Sequence, residues 1–152
     1  MIEKIISGGQ TGADQAGLNV AIELGLPHGG TCPRGRKSEA GRIPERYNLV
    51  EHESSDYPPR TAVNVRDSDG TVVFTLGAPE RGSALTLDLC ERAWKPSIHL
   101  DLDRVSIEEA ARLLKAWVEE KKIKVLNVAG NRESKAPGIG DKVERVLMTM
   151  FA

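Results

Sequence analysis

The sequence predicts an α/β fold in three layers, a mostly parallel sheet with helices on both faces, and three observations lead there. Short apolar runs rich in branched residues end in Gly, Asp or Asn, as buried strands do. Between them, apolar residues recur at helical spacing. The resulting order of strand, helix, irregular stretch, helix, strand, helix, strand, helix, strand, helix requires crossovers, hence parallel strands covered on both sides. A chain of 152 residues with 39% hydrophobic content holds one ordinary core and divides poorly into two, so one domain over residues 1–152 is expected.

Ile5 with Ile6 makes the first strand, and Gly17, Leu18, Ala21, Ile22 and Gly25 share one face of the helix that follows. Residues 26–59 are rich in glycine and proline and poor in apolar residues, so they read as a long loop with a short strand near Gly30 to Cys32. Ser55, Asp56 and Tyr57 before Pro58-Pro59 form a hinge into the next helix. Val72 to Leu76 is a strand. Leu85, Leu89 and Arg92 or Ala93 mark a shorter helix that Lys95-Pro96 ends. Ile98 with Leu100 and Val125 to Ala129 are the remaining strands. Ile107, Ala110, Ala111, Leu114 and Val118 stripe one helix, and Ile139, Val143, Val146, Leu147 and Met150 stripe the last. Trp94 and Trp117 fall on helical segments and are expected to pack or to meet a partner.

A formal net charge of -1 with 28% charged residues excludes a basic nucleic-acid tail or a polybasic membrane patch. The N-terminal MIEKIISGG lacks the basic flank and long apolar region of a signal peptide, so the protein reads as cytoplasmic. Cys32 and Cys90 lie far apart without CxxC spacing and read as reduced structural thiols. His28 with Cys32 would need further ligands to hold a metal, so no metal site is expected. No GxSxG occurs, and no catalytic residue is assigned. Within residues 34–46, Arg34, Arg36, Lys37, Arg42 and Arg46 outnumber Glu39 and Glu45. That stretch is either a solvated loop or a basic flap over an anion.

The most informative segment is GGQTGAD, residues 8–14, between the first strand and the first helix. Helix N-termini carry unpaired N–H groups and a positive partial charge, and glycines let an anion reach them. Gln10 and Thr11 can add side-chain hydrogen bonds, with a phosphate-bearing small molecule as the candidate ligand. Thr11 to Asp14 is equally a TxxD capping box, which satisfies the same donors without a ligand. The pattern is neither GxGxxG nor GxxxxGK[ST]. Two further junctions repeat the device: Gly82 and Ser83 after Val72 to Leu76, with Ser83 a good N-cap, and the loop after Val125 to Val128 holding Arg132, Ser134 and Lys135 before Pro137. One helix terminus gives about 0.3–2 kcal/mol, whereas micromolar binding needs about 8 kcal/mol, so several loops and cations must converge.

GGQTGAD, YPPRTAVNVRDSDGTVVF at 57–74, GSALT at 82–86 and NVAGNRESKAPGI at 127–139 together resemble the molybdenum cofactor carrier proteins, within the Rossmann-like group that also contains the LOG and lysine-decarboxylase-like proteins. The resemblance covers nearly the whole chain. It implies a Rossmann-like domain that binds the molybdenum cofactor (molybdopterin), or a related pterin or nucleotide, in a homo-oligomer, usually a dimer or tetramer, with a molybdoenzyme as candidate recipient. It carries over Gly9, Gln10, Thr11 and Gly12 in the first loop, Gly82, Ser83 and Thr86 in the second, and Gly130, Arg132, Glu133 and Ser134 in the third. Arg60 and Asn64 of the RTxxN segment join them. The alternative is a LOG-like nucleotide N-glycosidase or a nucleotide-sensing module. LOG relatives use PGGxGTxxE, and here Thr86 stands where that Glu would be, leaving Glu133 as the substitute carboxylate.

Overall fold

The computed structural model describes residues 1–152. The chain runs β1 (Lys4–Ile6), α1 (Ala13–Leu24), β2 (His28–Gly29), β3 (Thr31–Cys32), β4 (Lys37–Ser38), β5 (Gly41–Arg42), β6 (Val50–Glu51), α2 (Tyr57–Asp67), β7 (Gly70–Thr75), α3 (Arg81–Arg92), β8 (Ser97–Asp101), α4 (Ile107–Lys121), β9 (Val125–Gly130) and α5 (Ile139–Phe151). β2, β1, β9, β7 and β8 lie side by side in that order, every pair parallel. This is the three-layer Rossmann-like architecture expected. Because all five strands point the same way, the turns that follow them gather at one edge. No helix is long and apolar enough to cross a membrane.

The two faces of the sheet are chemically unequal. Side chains alternate along a strand, and Ile5, Val72, Phe74, Leu126 and Val128 all turn to the face covered by α1, α4 and α5, where they pack with Val20, Leu114, Trp117, Val143 and Leu147. Each fully buried aliphatic side chain there contributes roughly 1.5–3 kcal/mol. The residues between them, Thr71, Val73, Thr75, Asn127 and Ala129, turn toward α2 and α3. Thr71, Thr75 and Asn127 are buried polar groups, and Asn127 Nδ2 donates to Thr71 Oγ1 at 3.1 Å. That polar face is only partly sealed by its helices.

Residues 30–56 form more structure than a loop. β2 is the edge strand of the main sheet, β3 pairs in parallel with β6, and β4 and β5 form an antiparallel hairpin. A separate small core of Leu18, Cys32, Ile43 and Tyr47 lies beneath. Arg36 is buried and organises this segment: Nε donates to the Ile43 carbonyl at 3.1 Å, and Nη2 to those of Pro44 and Tyr47 at 2.7 and 2.8 Å. Arg42 pairs with Glu45 at 2.6 Å, Lys37 sits over the Tyr57 ring and Arg46 over the Tyr47 ring. Two-residue strands are too short to show a period in sequence. Trp117 is in the core, but Trp94 is 94% exposed; α3 ends at Arg92 and the left-handed backbone at Trp94 (φ 56°) turns its ring outward. Ile22 is likewise more exposed than its stripe implies.

Gly130, the last residue of β9, shows how tightly the strands meet at the loop-bearing edge. Its φ is 151°, and a Cβ there would lie 2.0 Å from the Phe74 carbonyl oxygen of β7. Gly130→Ala is therefore expected to destabilise the fold by roughly 3 kcal/mol or more, the scale of overpacking and backbone strain. Urea unfolding checks this, and an unchanged midpoint would contradict it.

Candidate functional site

A cavity of about 890 Å³ opens at the carboxyl edge of the sheet between α2 and α3. Gly8, Gln10 and Asp14 line it on the β1 side, Tyr57, Arg60, Thr61 and Asn64 from α2, and Arg81, Gly82, Ser83 and Thr86 from α3. Its floor is β9 from Asn127 onward, continuing to Arg132 and Lys135. Among the lining residues the cations Arg60, Arg81, Arg132 and Lys135 outnumber the two carboxylates, Asp14 and Glu80, so the interior favours an anion.

The three strand-to-helix junctions differ in what remains available. At α1, the Ala13 N–H donates to the Asn131 carbonyl at 3.1 Å and the Gln15 N–H to the Gln10 carbonyl at 3.1 Å. The Gln10 N–H donates to Asp14 Oδ2 at 3.1 Å. The expected Thr11–Asp14 box does not form, because the N-cap is Gly12. Thr11 Oγ1 instead accepts from the Glu133 N–H at 3.2 Å and donates to the Glu39 carboxylate. Gly12 (φ 83°) is glycine for a packing reason: a Cβ would stand 2.5 Å from the Asn131 carbonyl oxygen. At α5, the Glu133 carboxylate accepts from the N–H groups of Gly138 and Gly140 at 2.6 and 3.1 Å, which caps that helix internally.

Glu39, at the tip of the β4–β5 hairpin, joins the first and third loops. Its carboxylate accepts from Thr11 Oγ1, from the Ser134 N–H at 3.1 Å and from Ser134 Oγ, with Arg132 Nε 3.9 Å away. Burial alone would raise its pKa, but the hydrogen bonds from Ser134 and Thr11 outweigh burial and hold it below the usual carboxylate range. Thr11 and Ser134 do meet an anion, and it is the chain's own.

α3 is different. Its N-cap, Glu80, makes no side-chain cap, and the first bond of the helix is from the Ala84 N–H to the Glu80 carbonyl at 2.7 Å. The N–H groups of Arg81, Gly82 and Ser83 therefore have no acceptor within the chain. Ser83 is not the N-cap expected from sequence but lies buried inside the first turn. A Cβ at Gly82 would meet nothing within 4 Å, so no protein contact requires glycine there. Thr86 Oγ1 donates to the Gly82 carbonyl at 3.0 Å. α2 contributes little at its own terminus, since Pro58 and Pro59 occupy its first turn and carry no N–H.

On the β1 side the Arg60 guanidinium lies flat against Gly8, where a Cβ would be 2.7 Å from it, and over the Tyr57 ring at 5.4 Å. It donates to Thr61 Oγ1 and stands 3.9 Å from Asp14 Oδ2, while its Nε is buried without a partner. Burial pushes the Asp14 carboxyl up to about 6, against the opposing effects of Arg60 and the Gln10 N–H. The Asn64 amide is committed to the insertion, accepting from the Thr31 N–H at 2.8 Å and donating to the Thr31 carbonyl at 2.9 Å.

Of the residues singled out from sequence, Gln10, Arg60, Asn64, Gly82, Ser83, Thr86, Gly130 and Arg132 line the cavity, whereas Gly9, Thr11, Gly12, Glu133 and Ser134 do not. Gly9 packs beneath Leu49 and Ile43. None of Arg34, Arg36, Lys37, Arg42 and Arg46 lines the cavity, so the flap reading of residues 34–46 is corrected: these cations mostly tie the insertion to itself. Sequence reasoning missed Arg81, Asn127 and Asn131. Asn127 did leave a signal, as a polar residue inside an otherwise apolar strand.

The model of the circularly permutated YpsA SLOG family matches residues 5–151. No curated protein matches the chain. Among solved structures, the chain is similar to a protein of Syntrophus aciditrophicus SB, provisionally named a molybdenum carrier protein and determined at 1.45 Å resolution. The two are 50% identical with a TM-score of 0.98, over 99% of this chain and 96% of that one. Both findings bear out the family resemblance carried by GGQTGAD, GSALT and NVAGNRESKAPGI.

Asp14 gives a pH dependence of definite sign. The folded carboxyl keeps its proton up to about 6 and an unfolded one releases it near 3.8, so between these values the folded state binds more protons. The contribution of Asp14 to stability thus falls as pH rises from about 4 to 6, by up to roughly 3 kcal/mol at about 1.4 kcal/mol per pH unit. Asp14→Asn should remove that slope from urea unfolding measured across this range. Parallel pH profiles for the two proteins would contradict the assignment.

Proposed function

The chain belongs to the circularly permutated YpsA SLOG family, and from that premise we propose that it binds and carries a phosphate-bearing small molecule, the molybdenum cofactor or a related pterin or nucleotide, between α2 and α3. The observation that carries this reading is the α3 terminus, where three unpaired N–H groups and an unobstructed Gly82 open onto a cavity holding Arg81, Arg132 and Lys135. A helix N-terminus contributes about 0.3–2 kcal/mol and each charged hydrogen bond about 1.5–3 kcal/mol. Together these reach the roughly 8 kcal/mol of micromolar binding. The relative's provisional name, a molybdenum carrier, favours a pterin as the cargo and a molybdoenzyme as its recipient.

Carriage is favoured over hydrolysis by the placement of the carboxylates. Thr86 occupies the α3 position where LOG relatives place a Glu, and its hydroxyl is bonded to the Gly82 carbonyl. Glu133, the substitute carboxylate, is engaged in capping α5. Native mass spectrometry of protein purified without oxygen from cells that make the cofactor tests the cargo directly: a retained molybdopterin mass is expected, and a retained nucleotide would overturn the pterin in favour of the nucleotide.

Gly82→Val separates ligand contact from folding. Because nothing in the chain stands near a Cβ at that position, the urea midpoint should change little, while affinity for a pterin or nucleotide monophosphate falls by about tenfold or more, the effect of blocking an N–H cradle. Unchanged affinity in a calorimetric titration would remove the α3 terminus from the site.

A further inference from the structure

The cavity has a second end. The sheet order places β9 between β1 and β7, so Gln10 and Asp14, which follow β1, lie across the floor of the cavity from the α3 terminus, which follows β7. The polar groups at the β1 side are not those of an anion site. Arg60, the cation there, is held by Thr61 Oγ1, the Tyr57 ring and the facing Asp14 carboxylate.

Apart from the Arg60 guanidinium, three polar side-chain atoms at this end have no partner within the chain. Asp14 Oδ2 accepts from the Gln10 N–H, and Oδ1 accepts from nothing. Gln10 Oε1 accepts from the N–H groups of Thr11 and Glu39, which leaves its Nε2 donor free. Asn127 Nδ2 donates to Thr71 Oγ1, which leaves its Oδ1 acceptor free. All three residues line the cavity, and each of these atoms keeps some access to solvent, since the one buried polar side-chain atom without a partner is Arg60 Nε. Outside Arg60, the free set is one donor and two acceptors.

We propose that Gln10, Asp14 and Asn127 read the edge of a 2-amino-4-oxo-pyrimidine ring, the unit common to guanine and the pterins, at the end of the cavity opposite the phosphate. That edge presents a carbonyl acceptor, a ring N–H and an amino group, which match the free Gln10 Nε2, Asp14 Oδ1 and Asn127 Oδ1 one for one. Adenine presents a ring nitrogen acceptor in place of the N–H, and hypoxanthine lacks the amino group. Either one leaves an acceptor at this end unmatched, and sites built to bond a donor reject analogues lacking it.

This inference rests on the phosphate-binding reading above, and one set of titrations separates the two. Calorimetry on the intact protein uses GMP, IMP, AMP, 6-hydroxymethylpterin monophosphate and ribose 5-phosphate. GMP and the pterin phosphate should bind about tenfold or more tightly than AMP, the scale of losing a ligand hydrogen bond to a charged group, and about two- to tenfold more tightly than IMP, which loses only the bond to the neutral Asn127 amide, and whichever of the two binds more tightly identifies the source of the ring. Asp14→Asn, which keeps the shape and can still accept from the Gln10 N–H, should abolish most of the preference over AMP and leave the preference over IMP, which Asn127 reads. Equal affinities for GMP, IMP and AMP alongside binding of ribose 5-phosphate would overturn the ring-reading edge and leave the phosphate site standing. Failure of every phosphate compound to bind would overturn both. Because the selectivity is read on the unmodified protein, the outcome does not depend on how the variant folds.

Discussion

Asn131 joins three parts of the chain at the loop-bearing edge of the sheet. Its N–H donates to the Phe74 carbonyl at 3.0 Å and its carbonyl accepts from the Ala13 N–H at 3.1 Å, while its side-chain oxygen accepts from the Leu76 N–H at 2.9 Å. The exits of β7 and β9 and the start of α1 are thereby fixed to a single buried residue. Backbones brought this close leave no room for Cβ atoms, which is why Gly12 and Gly130 must be glycine. The same contact takes up a helix donor that would otherwise face a ligand, so the packing of the edge decides where an anion can and cannot enter.

The consequence is an asymmetry among helices that begin at the same edge. At α1 and α5 the chain supplies partners for most of the donors: the Asn131 and Gln10 carbonyls for the Ala13 and Gln15 N–H groups, Glu133 for Gly138 and Gly140, with Glu39 between Thr11 and Ser134. α3 receives none. Unpaired donors at a helix terminus and nearby guanidinium and ammonium groups favour the same sign of ligand charge, and they coincide only at the side of the cavity bounded by Arg81, Gly82 and Ser83. The unequal faces of the sheet add to this. The apolar face is sealed by α1, α4 and α5, whereas Asn127 and its polar neighbours leave a floor that can hydrogen-bond a guest.

Much of this was legible in the sequence. Apolar runs and periods gave the order of the main strands and helices, except for the short β2 and for α2, which was marked only by the hinge before Pro58-Pro59. The three Gly/Ser/Thr junctions were found where they lie. Their roles were not, because a glycine needed for backbone approach, as at Gly12, and one open to a ligand, as at Gly82, look alike in sequence. Glu39 comes from a hairpin of two-residue strands, and no local pattern ties it to Thr11 or Ser134. The cations of residues 34–46 invited an electrostatic reading, yet Arg36 serves as an internal cross-link to three carbonyls. Arg81 and Asn131 sat beside motif residues and were passed over because their importance is a matter of tertiary contact.

The α3 terminus, with three consecutive unpaired N–H groups beside Arg81, is the open anion site of the molecule. Amide chemical-shift mapping of the isotope-labelled protein during titration with inorganic phosphate tests it most directly, since phosphate carries no ring to bias its placement. Saturable shifts are expected at Arg81, Gly82 and Ser83, with Thr11, Gly12, Ser134, Gly138 and Gly140 unmoved. Saturable shifts at those five residues with α3 silent would contradict it.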